Sequence, residues 1–78
     1  MNWVVDQELD ARGLRCPLPL LRAKQALNVL AAGQVLRVLT TDPASLPDFT
    51  AYARQVGHEL LEAGGDGDAG FVLVVRKR

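Results

Sequence analysis

A lone thiol follows a basic residue and precedes a proline: Cys16, in the run Leu14-Arg15-Cys16-Pro17-Leu18-Pro19. Pro17 suits the first position of a helix, where its missing N–H would have no intrahelical partner. That makes Cys16 the expected N-cap, with Pro19 still inside the first turn. An N-cap side chain accepts N–H bonds from the turn that follows, which a neutral thiol does poorly and a thiolate does well. Unpaired N–H groups give a helix start roughly half a positive charge, and Arg12 and Arg15 add to it. The pattern predicts an ionised, reactive cysteine with a pKa below the ordinary ~8.5.

The partners available to a thiolate decide what it does. A hydrolase of the cysteine type needs a histidine base. The one histidine, His58, is expected at a strand end on the far side of the sheet and reads as a strand-end or surface residue. A thioredoxin-type exchange needs a second cysteine three positions on, and that position is Pro19. One cysteine and one histidine fall short of a zinc site. The run Asp66-Gly67-Asp68-Ala69-Gly70 echoes a calcium loop, but Lys77 stands at the twelfth position, where an acid is required. Neither a metal nor a cofactor is expected. What remains is a thiolate that accepts a group and passes it on. The competing account makes Cys16 a small apolar filler of a helix start.

The elements that must hold this thiol fit into one domain, residues 1–78. With 49% apolar residues the chain has the composition of a folded globular protein. A single cysteine cannot form an internal disulfide, which argues against a secreted disulfide scaffold. The start Met-Asn-Trp-Val-Val-Asp is acidic where a signal peptide is basic, and no apolar run approaches the roughly 20 residues of a membrane span. A cytoplasmic protein without membrane contact is expected.

Charge is blocked along the chain. Asp6, Glu8 and Asp10 open it; Arg12, Arg15, Arg22, Lys24 and Arg37 follow without an acid. Acids dominate residues 42–68, and Arg76-Lys77-Arg78 closes the chain. The basic block coincides with the cysteine and favours an electronegative partner surface. Its bases are not interleaved with aromatics, so no direct nucleic-acid contact is expected.

Alternation of Trp3, Val5 and Leu9 with acids predicts a strand over residues 3–10, although Gln7 interrupts the inner face. A loop follows in which Gly13 is the residue for a positive φ. From Pro17 the period is helical: Leu20, Ala23, Leu27 and Leu30 form a stripe widened by Leu21, Ala26 and Ala31, and Gly33 is the expected C-cap. Residues 35–41 read as a strand. Asp42 and Ser45 are alternative N-caps for a second helix that runs to Gly57, with Leu46, Phe49, Ala53 and Val56 inward and Tyr52 at the edge. Residues 58–63 read as a third strand, the glycine-rich segment 64–70 as a hairpin loop, and Phe71-Val72-Leu73-Val74-Val75 as a central strand. The order βαβαββ implies right-handed crossovers with both helices on one face: an α/β two-layer sandwich with a mixed four-stranded sheet. The apolar last strand leaves two expectations for the bare sheet face, contact with a partner or second copy, or simply a central place for that strand.

The stretch Leu9-Asp10-Ala11-Arg12-Gly13-Leu14-Arg15-Cys16-Pro17-Leu18-Pro19 resembles the signature of the TusA/SirA-like sulphur-carrier family, whose mark is Cys-Pro-x-Pro after a Leu-Asp-x-x-Gly-like run. The Thr41-Asp42-Pro43-Ala44 turn and the Asp48-Phe49 pair are also similar to that family, and the likeness covers nearly the whole chain. It implies a βαβαββ sandwich with one strand antiparallel to the rest. It also implies that Cys16 is the catalytic residue of a sulfurtransferase, holding a persulfide received from a cysteine desulfurase or rhodanese and passed to an acceptor protein. The family's pathways are tRNA thiolation, molybdenum-cofactor supply and sulphur oxidation. Asp10, Gly13, Pro17 and Pro19 would support the motif, and Arg12 and Arg15 would serve docking. Leu18 fills the variable middle position and makes the rim apolar. Against this stands a regulatory interaction module in which Cys16 is structural or a redox sensor.

Overall fold

The sheet runs β1 (Gln7–Ala11), β2 (Val35–Thr40), β3 (Glu59–Asp66) and β4 (Gly70–Arg76) in chain order, with helices α1 (Leu18–Val29) and α2 (Ser45–Val56) between the first three. This computed structural model describes residues 4–66 and 69–78. In space the strands lie β1-β2-β4-β3. β1 pairs with β2 in parallel, and β4 is antiparallel to both neighbours. The element order, the mixed four-stranded sheet and the central place of β4 are those expected from the chain.

One sheet face carries the core. Leu36 faces Val75 and Val38 faces Leu73 across the β2–β4 ladder, and these pack with Ala11, with Ala23, Ala26 and Leu27 of α1, and with Phe49 of α2. Both helices therefore cover the same side of the sheet. Each fully buried Leu or Phe here contributes about 1.5–3 kcal/mol relative to exposure. The opposite face is closed by charged side chains rather than by a helix. Arg37 pairs with Glu8 at 2.8 Å and Arg76 with Glu59 at 2.7 Å. Val74, flanked in register by Arg37 and Glu62, is left only 2% exposed. Long stems of such side chains cover apolar surface while their heads stay wet, so β4 is central with both faces covered.

Several boundaries differ from the sequence-based expectation. β1 starts at Gln7: Asp6 gives its N–H to the Val35 carbonyl at 2.9 Å, but its side-chain carboxylate, not its carbonyl, accepts the Val35 N–H at 2.8 Å. Trp3 lies outside the described residues. α1 begins at Leu18 with Pro17 at the N-cap, so Cys16 is not the cap but the residue before it. The Leu18 N–H closes a turn onto the Arg15 carbonyl at 2.8 Å, which delays the helix by one residue; the Cys16–Pro17 peptide bond is cis. Pro19 is buried in the first turn, while Leu21 and Ala31 lie outward. Leu30, not Gly33, caps the C-terminus of α1. The Lys77 ammonium takes the Leu30 carbonyl at 2.6 Å, a cation where the helix end is negative.

At α2 the N-cap is Ala44 rather than Asp42 or Ser45. Asp42 acts two residues earlier by accepting the Ala44 N–H at 3.0 Å, and Ser45 turns inward, 3% exposed. Gly57 caps the far end with φ 86°. β3 extends through Gly64 and Gly65, which pair with Val72 and Phe71, so the hairpin is tighter than the expected loop. A Cβ on Gly65 would stand 2.3 Å from the Gly70 carbonyl oxygen, which is why glycine belongs inside that strand.

Candidate functional site

Two loops that leave the carboxyl ends of the parallel strands β1 and β2 form an open cleft of about 470 Å³, lined by Gly13, Leu14, Arg15, Cys16, Thr41, Asp42 and Pro43. Crevices at this end of an α/β sheet are the usual ligand sites, because loops diverge there. The loops are laced together by main-chain donors. Gly13, with φ 83°, gives its N–H to Thr41 Oγ1 at 2.9 Å, and Cys16 gives its N–H to a carboxylate oxygen of Asp42. Gly13 therefore has the positive φ its position predicted. Beneath the cleft, Thr40 Oγ1 lies 3.0 Å from Ser45 Oγ and accepts the Asp42 N–H at 3.2 Å, fixing the residue that holds Cys16.

Cys16 is free and exposed. Its Sγ donates to Asp48 Oδ2 of α2 at 3.2 Å. This contact reverses the expected acidity: the thiol pKa is raised, not lowered. The hydrogen bond to Asp48 is the main cause, followed by partial loss of solvent and the negative charges of Asp48 and Asp42. Hydrogen bonding from the protonated form and nearby like charge both oppose ionisation.

The helix start compensates little. Pro17 and Pro19 have no N–H, and Leu18 has already given its own to Arg15. Nor does Arg12 supply the expected positive potential. It is held by Asp10 through two contacts of 2.9 Å, and that guanidinium, with the Arg12 backbone N–H, keeps the Asp10 carboxyl at about 2. Arg15 stands exposed in the cleft wall.

His58 lies at the start of β3, the opposite end of the sheet from Cys16. Its Nδ1 accepts the Arg78 N–H at 3.0 Å and its ring meets Tyr52 edge-on. Burial, then the charges of Lys77 and Arg78, lower its pKa. It takes no part in the cleft. Among the described residues no group of three or more His, Cys, Asp or Glu could hold a metal ion, and no helix is long and apolar enough to cross a membrane.

Sequence reasoning gave Asp42 a capping role and assigned Asp48 no role, although the Thr41-Asp42-Pro43-Ala44 turn and the Asp48-Phe49 pair both entered the family resemblance. The usable signal for Asp48 was its place in the first turn of α2, one residue before the buried Phe49, at the border of the inward face.

Residues 7–77 match the family model described as Sulfurtransferase TusA. The chain belongs to the TusA family. The sulfur carrier protein TusA of Allochromatium vinosum is 60% identical over 72 residues, 92% of this chain and 93% of that protein. The sulfur carrier protein TusA of Pseudomonas putida is 40% identical over 77 residues, 99% of this chain and 95% of that one. A crystal structure of a SirA-like protein from Desulfitobacterium hafniense has a TM-score of 0.77 at 28% identity, covering 90% of this chain and 95% of its own. The TusA match spans the whole cleft, Cys16 and Asp42 among its lining, together with Pro17, Pro19 and Asp48.

Proposed function

We propose that this TusA-family chain is a sulphur carrier whose cargo rides on Cys16 as a persulfide. The observation that supports it is the single exposed thiol at the mouth of an open cleft, tethered through its own N–H and its own Sγ. Loading begins when the Cys16 sulphur attacks the outer sulphur of a donor's persulfide. A new S–S bond forms at Cys16 as the donor's S–S bond breaks. The donor cysteine leaves with the electron pair and takes up the proton that Cys16 gave up. Sulphur moves as a neutral atom, so no oxidant or reductant is consumed, and delivery is the same step with an acceptor thiol attacking.

The donor is a cysteine desulfurase or rhodanese and the acceptor another protein in tRNA thiolation, molybdenum-cofactor supply or sulphur oxidation. A reducing cytoplasm suits an unpaired thiol. Gly13, Pro17 and Pro19 shape the loop that presents Cys16, Asp10 orders Arg12, and Arg15 with the exposed Leu18 offers a mixed rim for docking. No second cysteine is present to release the sulphur as a disulfide.

The test is incubation with a cysteine desulfurase and cysteine, alkylation of persulfides and intact-mass measurement. A gain of one sulphur on Cys16, absent in Cys16→Ser, is expected. Equal labelling of the two proteins refutes the proposal and leaves the interaction-module reading.

A further inference from the structure

We infer that Asp48, backed by Asp42, biases Cys16 toward its unloaded form, so that the carrier gives up sulphur more readily than an unconstrained cysteine. This rests on the carrier reading above and concerns the equilibrium of the same site. Written with all atoms, loading converts the Cys16 thiol and a donor persulfide anion into a Cys16 persulfide anion and a donor thiol. Charge and protons balance: the Cys16 proton ends on the donor sulphur.

Before loading, Cys16 is neutral and donates to Asp48 Oδ2 at 3.2 Å. After loading it has no proton to donate, and its charge sits on an outer sulphur one S–S bond, about 2 Å, beyond Sγ. That anion forms beside two carboxylates, of which Asp42 is held in place. Asp42 is pinned by the N–H groups of Cys16 and Ala44, and Asp48 lies on the first turn of α2. Pro17 and Pro19 bring no N–H and Arg12 is engaged by Asp10, so Arg15 in the cleft wall is the cation set against the two carboxylates, one charge against two. Loading thus exchanges a hydrogen bond for like-charge contact, whatever the donor.

The experiment equilibrates the protein with the persulfide of mercaptoethanol and excess mercaptoethanol, a couple with no charged group besides the reacting sulphur, without oxygen at neutral pH. Alkylation quenches the exchange and mass spectrometry reads the loaded-to-unloaded ratio at Cys16. Asp48→Asn is expected to raise that ratio severalfold, and Asp48→Glu to return it toward wild type, with far-UV circular dichroism unchanged. Wild type supplies a second measurement: salt that shortens screening to about 3 Å at 1 M raises its ratio. A ratio in Asp48→Asn equal to or below wild type, or no salt response in wild type, overturns the inference while leaving the carrier reading intact. Wild type that stays unloaded while free cysteine in the same mixture loads overturns the carrier reading itself, and this inference with it.

Discussion

Thr40→Val tests whether the buried hydroxyl pair under the cleft holds the Cys16 loop in place. Thr40 is fully buried and Ser45 is 3% exposed, their hydroxyls are 3.0 Å apart, and Thr40 Oγ1 also takes the Asp42 N–H at 3.2 Å. Valine has nearly the same shape and suits a strand, so volume and propensity hardly change. Two hydrogen bonds, each worth roughly 0.5–1.5 kcal/mol net, are lost, and the Ser45 hydroxyl is stranded at a further cost of order 1–3 kcal/mol. These sum to about 2–6 kcal/mol, and a loss in the lower half of that range is expected, against roughly 4–12 kcal/mol for a domain of this length. With a urea slope near the low end for small proteins, the midpoint falls by roughly 2 M. Ser45→Ala removes the pair from the other side but leaves Thr40 to hold Asp42, and costs only about 1 kcal/mol. The double variant loses less than the two singles together, because neither hydroxyl is then left without its partner. Thr40→Val within about 0.5 kcal/mol of wild type, or strict additivity of the pair, refutes the reasoning.

Glycine substitutions separate crowding from backbone strain. Gly65→Ala places a Cβ 2.3 Å from the Gly70 oxygen and 2.8 Å from Phe71 Cα, so thermal melting is expected to show a loss of at least about 3 kcal/mol. Gly13→Ala meets open space and costs only the left-handed strain of roughly 1–2 kcal/mol; the reverse order of the two contradicts the fold as described. Asp48→Asn removes the main cause of the raised Cys16 pKa, so the midpoint of alkylation rate against pH moves down, and an unmoved midpoint counts against the Sγ–Asp48 bond. Arg12→Ala lets the Asp10 carboxyl rise from about 2 toward 3.8, read by carboxyl-carbon NMR. Because the folded pKa is the depressed one, the pair's stabilisation is present above the unfolded pKa and is lost as pH falls from about 4 to 2. Stability curves of Arg12→Ala and wild type therefore converge in acid, and curves that run parallel through that range contradict the pairing.

The architecture was legible because its signals are local and redundant. The helical stripe through Ala23 and Leu27, the β-rich run of β2 and the apolar β4 each match a period to an element, and βαβ units leave few topologies open. What escaped was set by partners distant in the chain. Asp6 ends β1 only because Val35 lies beside it. Lys77, near the other terminus, closes α1 where Gly33 seemed the local candidate. Gly64 and Gly65 look like a loop by composition, yet both stand in the ladder opposite Val72 and Phe71, and at Gly65 β4 approaches too closely for any side chain.

The site divides in the same way. The exposed thiol of the cleft was readable, since one cysteine beside two prolines leaves no competing thiol. Its protonation state was not readable, because the group that decides it, Asp48, is 32 residues away. Part of the answer lies within the motif itself. A helix start favours anions through free N–H groups, and the Cys-Pro-x-Pro box deletes two of them in its first turn. A motif that places a nucleophile at a helix start while stripping that start of donors does not build an anion hole. It builds a rigid corner from which a sulphur projects, and it leaves the charge of that sulphur to be set by Asp42 and Asp48 across the cleft.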